Sequence, residues 1–278
     1  MTALPIDPVL PDLMAALVAN GRAVLQAPPG AGKTTRVPLA MLQAGLTDGK
    51  IIMLEPRRLA VRAAAERLAE GLGEKPGVTG GYRMRGESIA GSRVEIVTEG
   101  ILTRMIQSDP ELPGVGAVIF DEFHERSLNA DLGLALIWEI RNILRPNLMT
   151  LVMSATLDAA PVASLLDDAP IVTSEGRSFP VTTHFLEKAP PKTMRLEQAT
   201  AELVEKAVHE TKGGVLVFLP GEGEIRRVAA ALEGRLPKDC VLRPLYGALP
   251  FQDQRAAIAP VASGRKIVLS TSIAETSL

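Results

Sequence analysis

The stretch Ala23-Val-Leu-Gln-Ala-Pro-Pro-Gly-Ala-Gly-Lys-Thr-Thr35 combines a short apolar strand, a loop with two glycines and the start of a helix. Its spacing fits the phosphate-binding loop pattern G-x-x-x-x-G-K-[ST], except that Ala27 replaces the first glycine. Gly30 and Gly32 permit backbone conformations that a side chain would hinder, so successive N–H groups can point at phosphate oxygens. The helix that follows adds the positive end of its dipole. The stretch therefore predicts a phosphate site at the end of a buried strand.

The lysine and threonines of this loop indicate which ligand it binds. Lys33 is expected to reach the β- and γ-phosphates of a nucleoside triphosphate, and Thr34 to place its hydroxyl on Mg²⁺. The alternative is an ordinary turn with an exposed lysine, but the strand before the loop and the helix after it favour the phosphate site. The loop residues predicted to bind the nucleotide are Pro29, Gly30, Ala31, Gly32, Lys33, Thr34 and Thr35.

A second polar segment, Asp121-Glu-Phe-His124, follows the apolar stretch Val115–Phe120, which is predicted to be a buried strand. A phosphate loop requires a carboxylate at the end of another parallel strand to hold Mg²⁺, and Asp121 fits that role. Glu122 can orient the attacking water and accept its proton. His124 is placed to couple the nucleotide site to a second domain. The residues predicted to be catalytic are Lys33, Asp121, Glu122 and His124, and the predicted Mg²⁺ ligands are Thr34, Asp121 and Glu122.

The acidic segment has two other interpretations. A solvated turn is the weaker one, because the segment follows an apolar strand downstream of a phosphate loop. A zinc site is also weaker, since the three histidines, His124, His184 and His209, are far apart and show no H-E-x-x-H pattern. The sequence therefore favours a magnesium site.

A pair of hydroxyls, in Ser154-Ala-Thr156, follows another apolar strand. They are suited to hydrogen-bond His124 or an interdomain linker and so to transmit the state of the nucleotide between domains. A helix N-cap is an equally good interpretation, because serine and threonine are favoured there. Ser154 and Thr156 are therefore predicted as coupling residues, with the cap left open.

Two further strand ends carry residues suited to a sugar–phosphate backbone. These are Pro56-Arg57-Arg58 and Thr98-Glu99, where guanidinium groups, hydroxyls and helix N-termini are available to phosphates. Arginines solvated at the start of a helix are the alternative. The sequence shows no base-reading set and no stack of aromatic residues, so backbone contacts with weak sequence preference are expected.

Bulk properties limit the class of protein. The 278 residues suit one large domain or two medium ones, and 46% hydrophobic residues are enough to form cores. The net charge of −2 gives no overall basic field, so contact with nucleic acid must come from a local groove. Cys240 is the only cysteine, which excludes internal disulfides and suits a reducing cytoplasm. Residues 1–10 lack the basic region of a secretory signal, and a cytoplasmic location is expected.

Apolar strands alternate with helical patterns over residues 1–173, which predicts an α/β fold with a mainly parallel, doubly wound sheet, because parallel strands need crossover helices. The polar, breaker-rich residues 174–180 are predicted to be a linker. A second α/β domain is predicted for residues 181–278, beginning with a strand at Val181–Leu186. Its pattern stops soon after a strand at Lys266–Ser270, so we expect an incomplete domain in a piece of a longer protein.

Taken in order, these segments resemble the motifs of the DEAH/RHA group of superfamily 2 helicases and, within it, the bacterial HrpB-type helicases. Motifs I, Ia, Ib, II and III are matched by Ala27–Thr35, Glu55–Ala60, Thr98–Leu102, Asp121–His124 and Ser154–Thr156. Motif IV, the segment after it and motif V are matched by Leu216–Gly221, Leu245–Leu249 and Leu269–Ser277. The likeness extends over nearly the whole chain, and the shared order of several motifs makes it specific.

The resemblance implies two RecA-like domains with ATP, or another nucleoside triphosphate, and Mg²⁺ in the cleft between them. It implies an ATP-dependent RNA helicase that moves 3′ to 5′ along single-stranded RNA, and we expect a monomer. It assigns Asp121 and Glu122 to Mg²⁺ and the attacking water. It assigns His124, Ser154 and Thr156 to coupling. The residues assigned to the RNA strand are Arg57, Arg58, Thr98, Glu99 and, in motif V, Thr271.

The sequence departs from the family pattern in two places, and the second departure affects the expected activity. Motif II reads Asp-Glu-Phe-His rather than Asp-Glu-Ala-His, which stays within the DExH pattern. The arginine-rich motif VI, Q-R-x-G-R-x-G-R, does not occur in the 278 residues. Because such arginines stabilise charge on the transferring phosphoryl group, we expect the chain to bind ATP but to hydrolyse it poorly and not to unwind. Two other functions stay open: a DNA helicase or translocase of the same superfamily, and a nucleotide-gated scaffold that binds nucleic acid without turnover.

Overall fold

The computed structural model describes residues 3–155, 159–176, 180–191, 193–261 and 263–275. The chain forms two units, Met1–Phe179 and Pro180–Leu278. Ser174, the first residue of the predicted linker, is attached to the first unit. Its N–H donates to the carbonyl of Gln26 at 2.8 Å, and its hydroxyl donates to the carbonyl of Pro5 at 2.9 Å.

Strands and helices of the first unit alternate from the phosphate loop onward. Its described strands are β1 (Arg22–Gln26), β2 (Lys50–Glu55), β3 (Gly80–Met84), β4 (Glu87–Ile89), β5 (Val94–Thr98), β6 (Val115–Phe120), β7 (Met149–Ser154) and β8 (Ile171–Thr173). Its described α-helices are α1 (Leu10–Asn20), α2 (Lys33–Gln43), α3 (Arg58–Leu72), α4 (Glu99–Ser108), α5 (Leu128–Ile143) and α6 (Ala160–Leu165).

The eight strands form one sheet in the order β4-β3-β5-β2-β6-β7-β1-β8. Neighbouring strands are parallel except for the antiparallel pair β3 and β4. This confirms the predicted mainly parallel α/β sheet. The order also sets the carboxyl ends of β5, β2, β6, β7 and β1 side by side, and these are the strand ends at which the sequence motifs lie.

Helices cover both faces of this sheet, because successive side chains of a strand point to opposite faces. Leu25 of β1 and Met53 of β2 pack in one core with α1, α2 and α3. Their neighbours in sequence, Val24 and Ile52, pack in the opposite core with α4, α5 and α6. A strand buried on both faces must be apolar throughout, which explains why β1, β2, β6 and β7 read as continuous apolar runs.

The second unit repeats the strand–helix alternation on a smaller scale. Its described elements are α7 (Leu196–Glu210), β9 (Val215–Phe218), α8 (Glu222–Ala231), β10 (Cys240–Leu245), α9 (Phe251–Ile258) and β11 (Arg265–Ser270). The three strands are parallel, in the order β10-β11-β9. Val204 of α7, Ile225 and Val228 of α8, and Ile267 and Leu269 of β11 pack in one core.

One part of the sequence-based prediction differs from the structure. The strand predicted at Val181–Leu186 is wrong, because these residues have no regular secondary structure and the side chains of Val181 and Phe185 are 87% and 89% exposed. A segment forms a strand only where a neighbouring strand supplies hydrogen bonds, and among the described residues no strand pairs with this one. The chain between β3 and β4 turns at Gly86 (φ 81°), which allows β4 to pair antiparallel with β3.

The helices of both units are short. The longest described one, α5, has 16 residues. In the part of the chain that the structure covers, no helix has the length and apolar character needed to cross a membrane.

Gly81 in β3 tests how closely the sheet is packed. A Cβ added there would lie 2.2 Å from the Ile89 carbonyl oxygen and 2.2 Å from the Gly91 nitrogen. We expect Gly81→Ala to lower the free energy of unfolding by about 1–3 kcal/mol, because backbone atoms must move to admit it. Gly100→Ala in α4 is the matched control, since nothing lies within 4 Å of its added Cβ. Urea denaturation should show no loss, or a gain of up to about 1 kcal/mol, for that helical position. Equal losses in the two variants would contradict the packing described for β3.

Candidate active site

The predicted phosphate loop connects the carboxyl end of β1 to helix α2. The N–H of Ala27 donates to the carbonyl of Ser154 at 2.9 Å, so the loop starts where β1 and β7 are still paired. Gly30 and Gly32 have φ angles of 76° and 93°, in the left-handed region that favours glycine. A Cβ at Gly32 would also lie 2.5 Å from Cδ1 of Leu4. Backbone conformation and packing therefore both require glycine at position 32.

The other predicted loop residues differ in exposure. Pro29 is exposed, Ala31 is buried, and Thr35 in the first turn of α2 is half-buried. The carbonyl of Ala31 accepts a hydrogen bond from the N–H of Ile6 at 3.1 Å. The N-terminal segment therefore supports the loop and helps to fix its shape.

Two short contacts join this loop to the acidic segment after β6. Lys33 Nζ donates to Glu122 Oε1 at 2.6 Å, and Thr34 Oγ1 donates to Asp121 Oδ2 at 2.5 Å. Lys33 and Asp121 are only 3% and 4% exposed. The structure thus brings together the four residues that the sequence analysis placed around a triphosphate and Mg²⁺.

The backbone of the acidic segment is held in an unusual conformation. The N–H of Asp121 donates to the carbonyl of Leu54 at 3.0 Å, which continues the pairing of β6 with β2. The next residue, Glu122, has a φ of 50°, and its N–H donates to Asp121 Oδ1 at 2.8 Å. Non-glycine residues with such angles cost free energy and persist where surrounding contacts hold them, often at functional sites.

Burial and neighbouring charges have opposite effects on the pKa values of Lys33 and Asp121. Burial alone would lower the pKa of Lys33, but the charges of Asp121 and Glu122 outweigh it, and the pKa is raised. Burial raises the pKa of Asp121 to about 6, although Lys33 and the hydrogen bond from Thr34 act against the rise. The lysine is therefore held in its charged form, while the raised pKa of Asp121 lets its carboxyl take up a proton nearer to neutral pH than an ordinary aspartate does.

Glu55, at the carboxyl end of β2, is a further candidate for the active site, and it was not among the site residues predicted from the sequence. It is 5% exposed, and among the described residues its Oε2 has no hydrogen-bond partner. Burial, together with the charges of Asp121 and Glu122, raises the pKa of Glu55 well above its ordinary value. The sequence did contain a signal for Glu55: it is an acidic residue at the end of an apolar strand, and the ends of other strands in the same sheet carry the predicted motifs.

His124 and Ser154 lie next to the acidic segment, as their predicted coupling role requires. The Nδ1 atom of His124 accepts a hydrogen bond from the N–H of Ala155 at 3.3 Å and lies 3.4 Å from Glu122 Oε2. Ser154 is buried at the end of β7. Thr156, the other predicted coupling residue, lies outside the described residues.

The residues predicted to contact a nucleic acid strand occupy different positions. Arg58 is exposed at the start of α3, and Thr98 is the half-buried residue that precedes α4. Arg57 NH2 lies 3.5 Å from Glu125 Oε2, and Glu99 Oε2 accepts a hydrogen bond from the hydroxyl of Ser127 at 2.6 Å. The first unit thus places four of them at the carboxyl ends of β2 and β5. Thr271 belongs to the second unit, where its N–H donates to the carbonyl of Leu245 at 3.1 Å.

The oxygen donors of this cluster fit Mg²⁺. The Thr34 hydroxyl and the buried Asp121 carboxylate lie side by side, and both are hard oxygen ligands. Within the described ranges, no three His, Cys, Asp or Glu side chains are grouped as a metal cage. Mg²⁺ is usually bound through one or two carboxylates together with water and substrate phosphates, and this donor set matches that mode.

The pKa of Asp121 predicts how the stability of the metal-free protein depends on pH. The unfolded chain loses this proton near 3.8 and the folded chain near 6, so unfolding is favoured progressively as pH rises between those values. We expect Asp121→Asn to raise the thermal midpoint relative to the unchanged protein, by an amount that grows from pH 4 to 6.5 and then levels off. Differential scanning calorimetry in chelator tests this. Asp131→Asn, which removes a less buried carboxylate, is the control, and a difference that shrinks with rising pH would contradict the prediction.

Known proteins are similar to this chain in sequence. Residues 10–165 match the DEAD/DEAH box helicase family. The chain is 53% identical over 281 residues to the ATP-dependent RNA helicase HrpB of Escherichia coli (strain K12), a match that covers 100% of this chain and 34% of HrpB. It is 35% identical over 281 residues to the ATP-dependent RNA helicase HrpA of the same organism, covering 99% of this chain and 22% of HrpA. The chain therefore corresponds to about a third or less of the length of these relatives.

Solved structures share the fold. The crystal structure of the Escherichia coli DEAH/RHA helicase HrpB aligns with a TM-score of 0.91 at 53% identity, over 99% of this chain and 35% of that one. A crystal structure of the E. coli DExH-box NTPase HrpB aligns with a TM-score of 0.84, over 100% of this chain and 34% of that one. These matches confirm both the predicted fold class and the predicted resemblance. The chain belongs to the DEAD/DEAH box helicase family.

Proposed function

We propose that this chain is the nucleotide-binding part of an ATP-dependent RNA helicase motor, the activity named for HrpB and HrpA. The observation that carries the proposal is the juxtaposition of Lys33 with Glu122 at 2.6 Å and of Thr34 with Asp121 at 2.5 Å. These four groups supply a phosphate-binding cation, a metal-binding hydroxyl and carboxylate, and a base for water. Hydrolysis of a nucleoside triphosphate needs this set, because phosphoryl transfer depends mainly on positioning and charge stabilisation.

Hydrolysis begins with an exchange of partners at Lys33. A bound triphosphate takes the ammonium group away from Glu122, while the N–H groups of the loop surround the phosphate oxygens. The released Glu122 carboxylate is then available to orient a water molecule and to accept its proton. Asp121 and Thr34 are the residues that would hold Mg²⁺, which when bound neutralises charge on the β- and γ-phosphates.

The proposed route from the nucleotide site to the rest of the protein passes through His124, Ser154 and Thr156. The position of His124 supports it, because Nδ1 lies against both Glu122 and the N–H of Ala155. We propose a RecA-like domain at residues 1–173, a linker at residues 174–180 and an incomplete second RecA-like domain at residues 181–278.

Single-stranded RNA is the proposed partner, held through backbone phosphates with weak sequence preference. Arg57, Arg58 and Thr98 supply guanidinium and hydroxyl groups at one edge of the sheet, which suits phosphate oxygens. Glu99 shapes this edge through its hydrogen bond from Ser127, and Thr271 is proposed as a contact from the second unit. Movement along the strand is proposed to run 3′ to 5′, in a monomeric cytoplasmic protein.

The proposal predicts RNA-stimulated ATP turnover in a longer form of the protein that includes motif VI. Lys33→Ala should reduce turnover by about 100-fold or more, since it removes charge stabilisation, and Glu122→Gln by about 100- to 10,000-fold, since it removes the base. A coupled phosphate-release assay with and without poly(U) measures both.

Exposed residues of the same types provide the controls. Lys75→Ala and Glu111→Gln should keep the rate and its stimulation, because both side chains lie on the surface. A turnover that no nucleic acid stimulates would refute the motor. Stimulation by single-stranded DNA of equal length, but not by RNA, would favour the DNA helicase or translocase instead.

The 278-residue chain itself is predicted to bind Mg²⁺·ATP but to turn it over slowly. Without an arginine on the transferring phosphoryl group, the rate should fall by about 10³- to 10⁵-fold relative to a form that carries motif VI. Equilibrium binding of a fluorescent ATP analogue and steady-state turnover, measured on the two forms in parallel, separate binding from hydrolysis. Equal turnover by both forms would contradict this prediction.

A further inference from the structure

The residues that follow the two acids, 123–127, are held from two sides by residues of the proposed RNA edge. We call them the connecting segment. Arg57, beyond β2, lies 3.5 Å through NH2 from Oε2 of Glu125. Glu99, beyond β5, accepts a hydrogen bond at 2.6 Å from the hydroxyl of Ser127. Two separate strand ends of the proposed RNA edge therefore contact the same five residues.

The connecting segment is also tied to the catalytic glutamate through its backbone. The N–H of Glu125 donates to the carbonyl of Glu122 at 2.9 Å, and the N–H of Arg126 donates to the carbonyl of Phe123 at 3.1 Å. Phe123–Glu125 forms a single 3-10 turn, with Glu122 before it and Arg126 after it at φ angles of 50° and 49°. A turn bounded by two residues in the left-handed region has little conformational freedom. A movement of Glu125 is therefore transmitted through the backbone to Glu122.

The ion pair between Arg57 and Glu125 is suited to exchange. Both side chains are mostly buried, with 20% and 23% exposure, but the 3.5 Å separation is long for a charge-assisted hydrogen bond. The second oxygen of Glu125, Oε1, is buried and, among the described residues, has no hydrogen-bond partner. Glu125 also lies close enough to Glu55 for its charge to raise the pKa of that residue, so the carboxylate sits among other acids. An incoming phosphate offers Arg57 a bidentate partner without those disadvantages.

We propose that Glu125 is a positioning residue that couples RNA binding to the nucleotide site by competing with RNA phosphate for Arg57. This rests on the proposed function. With neither ligand bound, Arg57 holds Glu125, and the 3-10 turn keeps Glu122 on Lys33. A phosphate at Arg57 releases Glu125 and loosens the turn, and a triphosphate that takes Lys33 loosens it from the other end. Because binding free energies are reciprocal, each ligand then raises the affinity for the other.

The test measures the affinity of the 278-residue chain for a fluorescently labelled, single-stranded oligouridylate by anisotropy, with and without Mg²⁺ and a non-hydrolysable ATP analogue. In the unchanged chain, the nucleotide should tighten RNA binding by about fivefold or more, the lower end of measured coupling between sites. Glu125→Gln keeps the size of the side chain and removes its charge. It should tighten nucleotide-free RNA binding by up to about fivefold, the equivalent of a partly exposed ion pair, and reduce the nucleotide effect to less than about twofold.

Two further variants distinguish coupling from support of the fold. Glu125→Asp keeps the charge and should retain most of the nucleotide effect. Glu111→Gln is the matched control: it makes the same change at an exposed glutamate outside the connecting segment, and it should leave both RNA affinities unchanged. Thermal unfolding of each variant confirms that the proteins compared are folded.

The outcomes separate this inference from the function on which it rests. If the unchanged chain binds no RNA with or without nucleotide, the proposed function and the inference both fail. If it shows the nucleotide effect and Glu125→Gln shows the same effect, the inference alone fails. Weaker nucleotide-free RNA binding in Glu125→Gln, or loss of the effect in Glu111→Gln, would also overturn it, because Glu125 would then act through stability or general charge.

Discussion

The ion pair between Lys33 and Glu122 is the interaction on which the polar edge of the first unit depends. Its side chains are 4% and 13% exposed, and a charge so deeply buried needs a partner. Removing one member would leave the other uncompensated, a change that typically costs about 3–5 kcal/mol at buried pairs. The phosphate loop and the acidic segment must therefore stay together when no ligand is bound. The pair holds the site in shape, and in the proposed function it is the interaction that a bound triphosphate replaces.

The order of strands determines how this pair can form. β1 and β6 are not neighbours, because β7 lies between them. At about 4.8 Å per strand, their carboxyl ends are about 10 Å apart. The loop after β1 must cross the end of β7 to reach Glu122, and the hydrogen bond from Ala27 to the Ser154 carbonyl fixes the start of that crossing. The left-handed angles at Gly30 and Gly32 allow the return into α2, and the long side chain of Lys33 covers the remaining distance.

The sequence predicted those parts of the molecule that depend on residues close together in the chain. The phosphate loop, Asp121 and the parallel sheet are of this kind, because glycine placement, apolar strands and polar strand ends follow from short-range rules. The ion pair between Arg57 and Glu125 was not accessible in this way, since it depends on which strand ends the sheet order makes adjacent. The burial of Glu55 is also a tertiary property. The strand predicted at Val181–Leu186 was wrong for the same reason: a strand needs a neighbouring strand to pair with, and the residues of the segment do not specify one.

The left-handed conformation of Glu122 supports the proposed response of the site to ligands. A φ of 50° at a glutamate costs about 1–3 kcal/mol and needs contacts to maintain it. Three contacts do so: the ion pair with Lys33, the hydrogen bond from its own N–H to Asp121, and the hydrogen bond to its carbonyl from Glu125. In the proposed function, a triphosphate competes for the first contact and Mg²⁺ for the carboxylate of the second. In the proposed coupling, a ligand at the RNA edge acts on the third contact through Arg57. On these proposals each ligand weakens a different support of the same strained residue, and loss of one support lowers the cost of losing the next.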